Sequence, residues 1–210
     1  MPADTPFERN LECGVRIKFE PVQRDARPNR YPEMERLAHW CRIFDEEGMA
    51  PVEGGASAGN LSFRTPAGFV ITATRTALKS DIPWDGFVEV VRSNVADWAV
   101  HYLGERPPSS DVFLHDRIYR VRPDAACVLH GHDNVVLARA DDLGREFEIV
   151  VTPEATEFGT RVDAERTAAA LGVHDYIIRK GHGFVSVGRT LDEAGERAVA
   201  IHRRAAQLGG

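Results

Sequence analysis

At 210 residues and 43% hydrophobic content, the chain is long enough to bury one full core, and its length does not demand a second domain. A formal charge of −6 and a pI near 5.8 argue against nucleic acid or an anionic membrane as partners, while leaving room for a local basic pocket that holds a small anion. Cys13, Cys41 and Cys127 form no CxxC pair and no closed disulfide framework, and there is no apolar signal core, so a soluble cytoplasmic protein is expected.

In chain order, residues 1–30 are polar and rich in proline, and read as an N-terminal extension containing one short strand in VRIKFEPV. Residues 31–210 read as the main domain. A helix is predicted from Pro32 to about Glu47, with apolar residues at Met34, Leu37, Ala38, Cys41 and Phe44 and a stop at Gly48. The glycine-rich GGASAGN then feeds a hairpin whose arms, Leu61–Phe63 and Phe69–Ile71, flank the turn TPAG. Phe87–Val91 is a strand candidate, followed by a predicted helix from the cap Asn94 to Gly104. Another helix opens at Ser109–Asp111 and closes before Pro123. ACVLHGH reads as a strand, NVVLARADD as a short helix and EFEIVV as a strand. A helix stopped at Gly172 and two short strands joined around Gly181–Gly183 follow. The last helix opens on Thr190 and Glu193, a capping box, and runs to about Leu208.

The chemistry-bearing residues cluster in three places. His130 and His132 flank Gly131 at the end of an apolar run, and residues i and i+2 of a strand share a face about 7 Å apart, so both imidazoles could converge on one ion. His182, between two glycines, supplies a third candidate, and three histidines suit a catalytic zinc that keeps an open position. Ser109, Ser110 and Asp111 stand at a predicted helix start, where unpaired N–H groups favour an anion; Ser109 or Asp111 could equally cap the helix, and Asp111 could pair with His115 four residues on. GASAGNLS is similar to a backbone-amide cradle for phosphate, although it lacks a Walker lysine.

The order GNLSFR, PSSDVFLHDRIYRVRPDAACVLHGH, ATEFGTR and GHGFVSVGRTLDEA resembles the class II aldolase/adducin family over roughly residues 33–207. That family includes fuculose- and rhamnulose-phosphate aldolases, ribulose-phosphate 4-epimerase, methylthioribulose-phosphate dehydratase and the non-catalytic adducin head domain. The resemblance implies that His130, His132 and His182 bind Zn2+ or another divalent metal. It implies that Gly59, Asn60, Thr74, Ser109 and Ser110 hold a substrate phosphate. Asp111 takes the place of the catalytic acid/base, normally Glu, or serves as a fourth ligand. Arg75 replaces the glycine of the family's ITxTG loop and could itself recognise phosphate or carboxylate, or pair with Asp81 at the surface. Lys79 is a weaker candidate for the same anion, and its ordinary place is in solvent.

The implied function is a zinc-dependent aldolase-type carbon–carbon lyase acting on a small ketose phosphate or related hydroxy-carbonyl compound through a metal-stabilised enediolate. Alternatives are a 4-epimerase or dehydratase of the same family and, from another class, an adducin-like interaction domain. Absence of the epimerase's aspartate-bearing loop after the histidine pair, and of a tyrosine-bearing tail, counts against the epimerase. The implied fold is a three-layer α/β arrangement with a central, mainly antiparallel sheet flanked by helices, whereas strand–helix alternation alone suggests a parallel sheet. A homo-oligomer, by resemblance a tetramer, is expected.

Overall fold

The structure, a computed structural model, describes residues 17–208. Its strands are β1 (Glu20–Asp25), β2 (Val52–Glu53), β3 (Ala56–Ser57), β4 (Asn60–Arg64), β5 (Phe69–Thr72), β6 (Phe87–Asn94), β7 (Ala99–Leu103), β8 (Cys127–Gly131), β9 (Val150–Val151), β10 (Tyr176–Arg179) and β11 (Gly183–Gly188). The helices are α1 (Glu33–Glu46), α2 (Val112–Val121), α3 (Asn134–Ala138), α4 (Ala140–Phe147), α5 (Arg161–Leu171) and α6 (Leu191–Gln207). Nine strands form one sheet in the order β1-β7-β6-β5-β4-β8-β11-β10-β9, and β2 and β3 form a separate ribbon. Among the described residues only the outermost pairs, β1 with β7 and β9 with β10, are parallel. The sheet is therefore mainly antiparallel, as the resemblance implies and in contrast to what strand–helix alternation suggests: β4–β5, β5–β6, β6–β7 and β10–β11 pair as consecutive antiparallel strands, and β4–β8 and β8–β11 pair antiparallel across longer connections.

Strand alternation divides the core between two helical layers. Leu61, Phe63, Leu129, Ile178 and Phe184 pack with α1, α3, α4 and α6 on one side, and Ile71, Val128, Ile177, Val185 and Val187 pack with α2 and α5 on the other. Each fully buried large apolar side chain contributes roughly 1.5–3 kcal/mol, so both faces are held and the sheet is sandwiched. No helix among the described residues is long and apolar enough to cross a membrane.

Several local expectations hold. Thr190 Oγ1 accepts from Glu193 N–H at 3.1 Å, and Glu193 returns the bond to Arg189 N–H at 2.8 Å. Others are corrected. The predicted helix from Asn94 to Gly104 is the β6–β7 hairpin: Asn94 Oδ1 accepts from Ala96 N–H in a turn, and Val100 and Tyr102 alternate inward. A turn and a cap use the same asparagine oxygen, which misled the spacing. NVVLARADD divides into α3 and α4 at Arg139, with α3 capped by Asp133, which accepts from Val135 and Val136 N–H at 3.0 Å each. EFEIVV is strand only at Val150–Val151, because α4 runs through Phe147 and ends in a left-handed Glu148. The first strand lies at Glu20–Asp25, later than VRIKFEPV; Val15 and Arg16 of that stretch, like Cys13, lie outside the described residues.

Candidate metal centre and its cleft

The end of β8 and the residue just beyond it supply His130 and His132, and the β10–β11 turn brings His182 against them across the β8–β11 pairing, where Gly131 is opposite Phe184. One ring nitrogen from each of the three histidines lies within 4.8 Å of the other two. The crossing is close: a Cβ on Gly183 would lie 2.0 Å from the Gly131 carbonyl oxygen, so only glycine fits there. His130 Nδ1–H donates to the Phe184 carbonyl at 2.6 Å, which leaves the Nε2 lone pair for the site. Burial, then the Arg179 charge, pushes His130 well below the ordinary histidine range. His132 is lowered by burial as well, and His182 falls to about 3 for the same first reason. Neutral imidazoles converging at these distances fit a divalent cation of the zinc type.

Asp111, just before α2, does not cap its helix. Its Oδ2 accepts from Asn60 Nδ2 at 3.1 Å and lies 3.5 Å from His130 Nε2, while Oδ1 is buried without a partner. Burial would raise this carboxyl, but the Arg179 charge and the Asn60 bond, with His182, outweigh it and hold it below the ordinary range. Asp111 and His115 do not pair directly. Asn60 bridges them, with its Oδ1 accepting from His115 Nε2 at 2.6 Å; His115 Nδ1 faces Ser62 Oγ at 2.6 Å, and Ser62 Oγ faces the Tyr119 hydroxyl at 2.7 Å. This buried chain keeps His115 neutral, its pKa pushed down to about 3 by burial.

The remaining predicted residues line the same cleft, about 200 Å³, with Gly59, Asn60, Thr74, Arg75, Ser109, Ser110, Asp111, His132 and His182 in its wall. The serines reach it because the segment before α2 is stapled to the end of β5: Thr74 N–H donates to Pro107 O at 3.0 Å and Ser109 N–H to Thr72 O at 3.2 Å. Arg106 ties the loop further, donating to the carbonyls of Thr74 and Arg75 at 2.6 and 2.7 Å. Arg75 is exposed and adopts φ +54°, so the left-handed backbone suited to glycine is retained with a guanidinium on it.

One residue escaped the sequence reading, and another, Lys79, was expected in solvent. Arg179, 2% exposed, clamps Asp163 at 2.6 and 2.7 Å and reaches to 3.2 Å from His130 Nε2. Its place three residues before His182 was the available signal. Lys79 is not solvated: it is 1% exposed, with Nζ donating to the carbonyls of Ala58 at 3.0 Å and Ser57 at 3.4 Å.

Known proteins are similar to this chain in sequence and in fold. A methylthioribulose-1-phosphate dehydratase of Gluconacetobacter diazotrophicus is 29% identical over 175 residues, 73% of this chain and 80% of that one. A 3,4-dihydroxyphthalate decarboxylase of Terrabacter is 25% identical, covering 80% of this chain and 77% of its own. Among solved structures, l-fuculose-1-phosphate aldolase from Thermus thermophilus superposes with a TM-score of 0.65 at 23% identity, covering 83% of this chain and 91% of that one, which is a likeness of fold. The profile described as Class II Aldolase and Adducin N-terminal domain matches residues 35–208, and the chain belongs to that family.

Proposed function

We propose that this chain is a metal-dependent lyase that removes a proton beside the carbonyl of a small anionic hydroxy-carbonyl compound, with loss of water from a ketose phosphate as its reaction. The placing of Asp111 carries the reading: an ionised carboxylate, one oxygen unpartnered, in the cleft wall 3.5 Å from a histidine of the triad. A divalent cation, zinc by the donor set of His130, His132 and His182, would supply Lewis-acid stabilisation of charge developing on the substrate carbonyl. Asp111 Oδ1 takes the proton from the carbon next to the ketone and gives it to the hydroxyl one carbon further. That hydroxyl leaves as water with its C–O bond pair, the C–H pair becomes the new carbon–carbon double bond, and Asp111 ends as the carboxylate it began as. Asn60 holds the other oxygen, Oδ2, and so fixes the carboxylate's orientation. Ser109, Ser110, Thr74, Arg75 and the Gly59–Asn60 turn hold the anionic end of the substrate.

Dehydration is favoured over the expected aldol cleavage because the dehydratase likeness runs along most of both chains. The solved aldolase reported above is under 25% identical and supports the fold alone. A second reading, decarboxylation of a hydroxylated acid, draws on the decarboxylase relative and on Arg75, which suits a carboxylate as well as a phosphate. Both retain the family's reliance on a charge-stabilising cation. The homotetramer and the cytoplasmic setting belong to the same proposal, and light scattering near four times 23.3 kDa tests the first.

The test offers zinc-loaded protein methylthioribulose 1-phosphate, fuculose 1-phosphate and 3,4-dihydroxyphthalate, following water loss by NMR, dihydroxyacetone phosphate release and carbon dioxide release. Turnover of the first is expected, falling about 10²–10⁴-fold in Asp111→Asn with zinc retained. Full activity in Asp111→Asn would remove it as the base, and carbon dioxide release alone would replace dehydration by the second reading.

A further inference from the structure

Lys79 is a fully buried cation with no carboxylate within 4 Å among the described residues. Its hydrogen-bond partners are the backbone oxygens of Ser57 and Ala58, both in the cleft wall, although Lys79 itself does not line the cleft. The Ala58–Gly59 peptide is trans, so its N–H points opposite to its carbonyl. With that carbonyl turned to Lys79, the Gly59 N–H is directed away from the ammonium, and Gly59 lines the cleft. Burying an ammonium costs several kcal/mol unless charge compensates it, and two carbonyls do so only in part.

We infer that Lys79 is a positioning residue for anion binding: from behind the cleft wall it fixes and polarises the Ala58–Gly59 peptide and supplies the positive charge that an anionic substrate group completes. This rests on the anionic-substrate reading above and deepens it. The surrounding fold is built for the role. Ser57 N–H donates to Thr76 O at 2.8 Å and Ala58 N–H to Pro51 O at 2.8 Å, so the wall cannot follow a shortened side chain. Facing Lys79 from α1 are Cys41, a buried thiol raised to about 12 and therefore neutral, and Asp45. Burial lowers Lys79 itself to about 8, so its charge can be removed within a workable pH range.

Sulfate is the probe, since it does not titrate between pH 6.5 and 9.5. Its affinity for the zinc-loaded full chain is measured by calorimetry across that range in wild type, Lys79→Met and Lys79→Gln, after checking equal zinc content. Protonated Lys79 attracts the anion and neutral Lys79 does not, so wild-type affinity is expected to fall as pH rises above about 8, approaching tenfold per unit. Each variant should bind sulfate at least tenfold more weakly at pH 7 and show a flat profile. A flat wild-type profile, or variant affinities within twofold of wild type, would overturn the role of Lys79 and leave the anionic substrate standing. Failure of the wild type to bind sulfate at any pH would overturn the anion site itself, and this inference with it.

Discussion

Replacing His115 by leucine tests whether the buried chain from Asp111 to Tyr119 is held by a neutral imidazole. The ring is 0% exposed and bonds Asn60 Oδ1 and Ser62 Oγ at 2.6 Å each. Leucine leaves Asn60 Oδ1 without its donor, costing about 1–3 kcal/mol. Ser62 keeps Tyr119 at 2.7 Å and the Val128 carbonyl at 3.4 Å, so its loss is smaller. A net destabilisation of about 2–3 kcal/mol at pH 7.5 follows, a sizeable part of a domain's roughly 5–15 kcal/mol. Acid changes the comparison. A histidine lowered from 6.5 to about 3 takes up its proton in the unfolded chain before the folded one, so its contribution is full above 6.5 and is lost as pH falls. The wild type should lose about 1.4 kcal/mol per pH unit from this group, up to a limit of about 5 kcal/mol, and the leucine variant nothing. Their stabilities should meet about two units below 6.5, near pH 4.5. Urea unfolding at half-unit intervals from pH 7.5 to 4 measures the gap; a constant gap would refute a buried neutral His115.

His130→Ala should weaken zinc binding at least 100-fold, read by chelator competition, because it removes one of three converging nitrogens; binding within threefold of wild type would move the metal elsewhere. Gly59 has φ +73°, and a Cβ there would lie 2.5 Å from the His130 carbonyl oxygen, so Gly59→Ala should cost about 3 kcal/mol in unfolding and at least tenfold in zinc affinity. Arg75→Gly should relieve a left-handed non-glycine residue, leaving stability unchanged or raised by up to about 1 kcal/mol, while raising KM at least tenfold with little change in kcat. An unchanged KM would place the guanidinium outside substrate recognition.

Much of the site was legible because its signals are local. The apolar run before His130 and His132 is a property of one strand, the His182 turn of one glycine pair, and the start of α6 of one capping box. The ordered motifs then linked these stretches to one family, including the antiparallel sheet that alternation alone contradicted. Where sequence reading failed, the deciding interaction came from elsewhere in the chain. Ala99–Leu103 became strand because β6 and β1 pair with β7 on either side, and Lys79 became buried because the Ser57–Ala58 backbone offered it carbonyls. Arg179 and Asp163 meet across 16 residues, and Asn60 reaches Asp111 across 51. By itself the sequence determined which residues could carry the chemistry, since side-chain type and short-range period need no partner. Only the tertiary structure decided how Asp111 is held and where the buried charges lie, because burial and hydrogen-bond satisfaction depend on what distant segments bring to the same place.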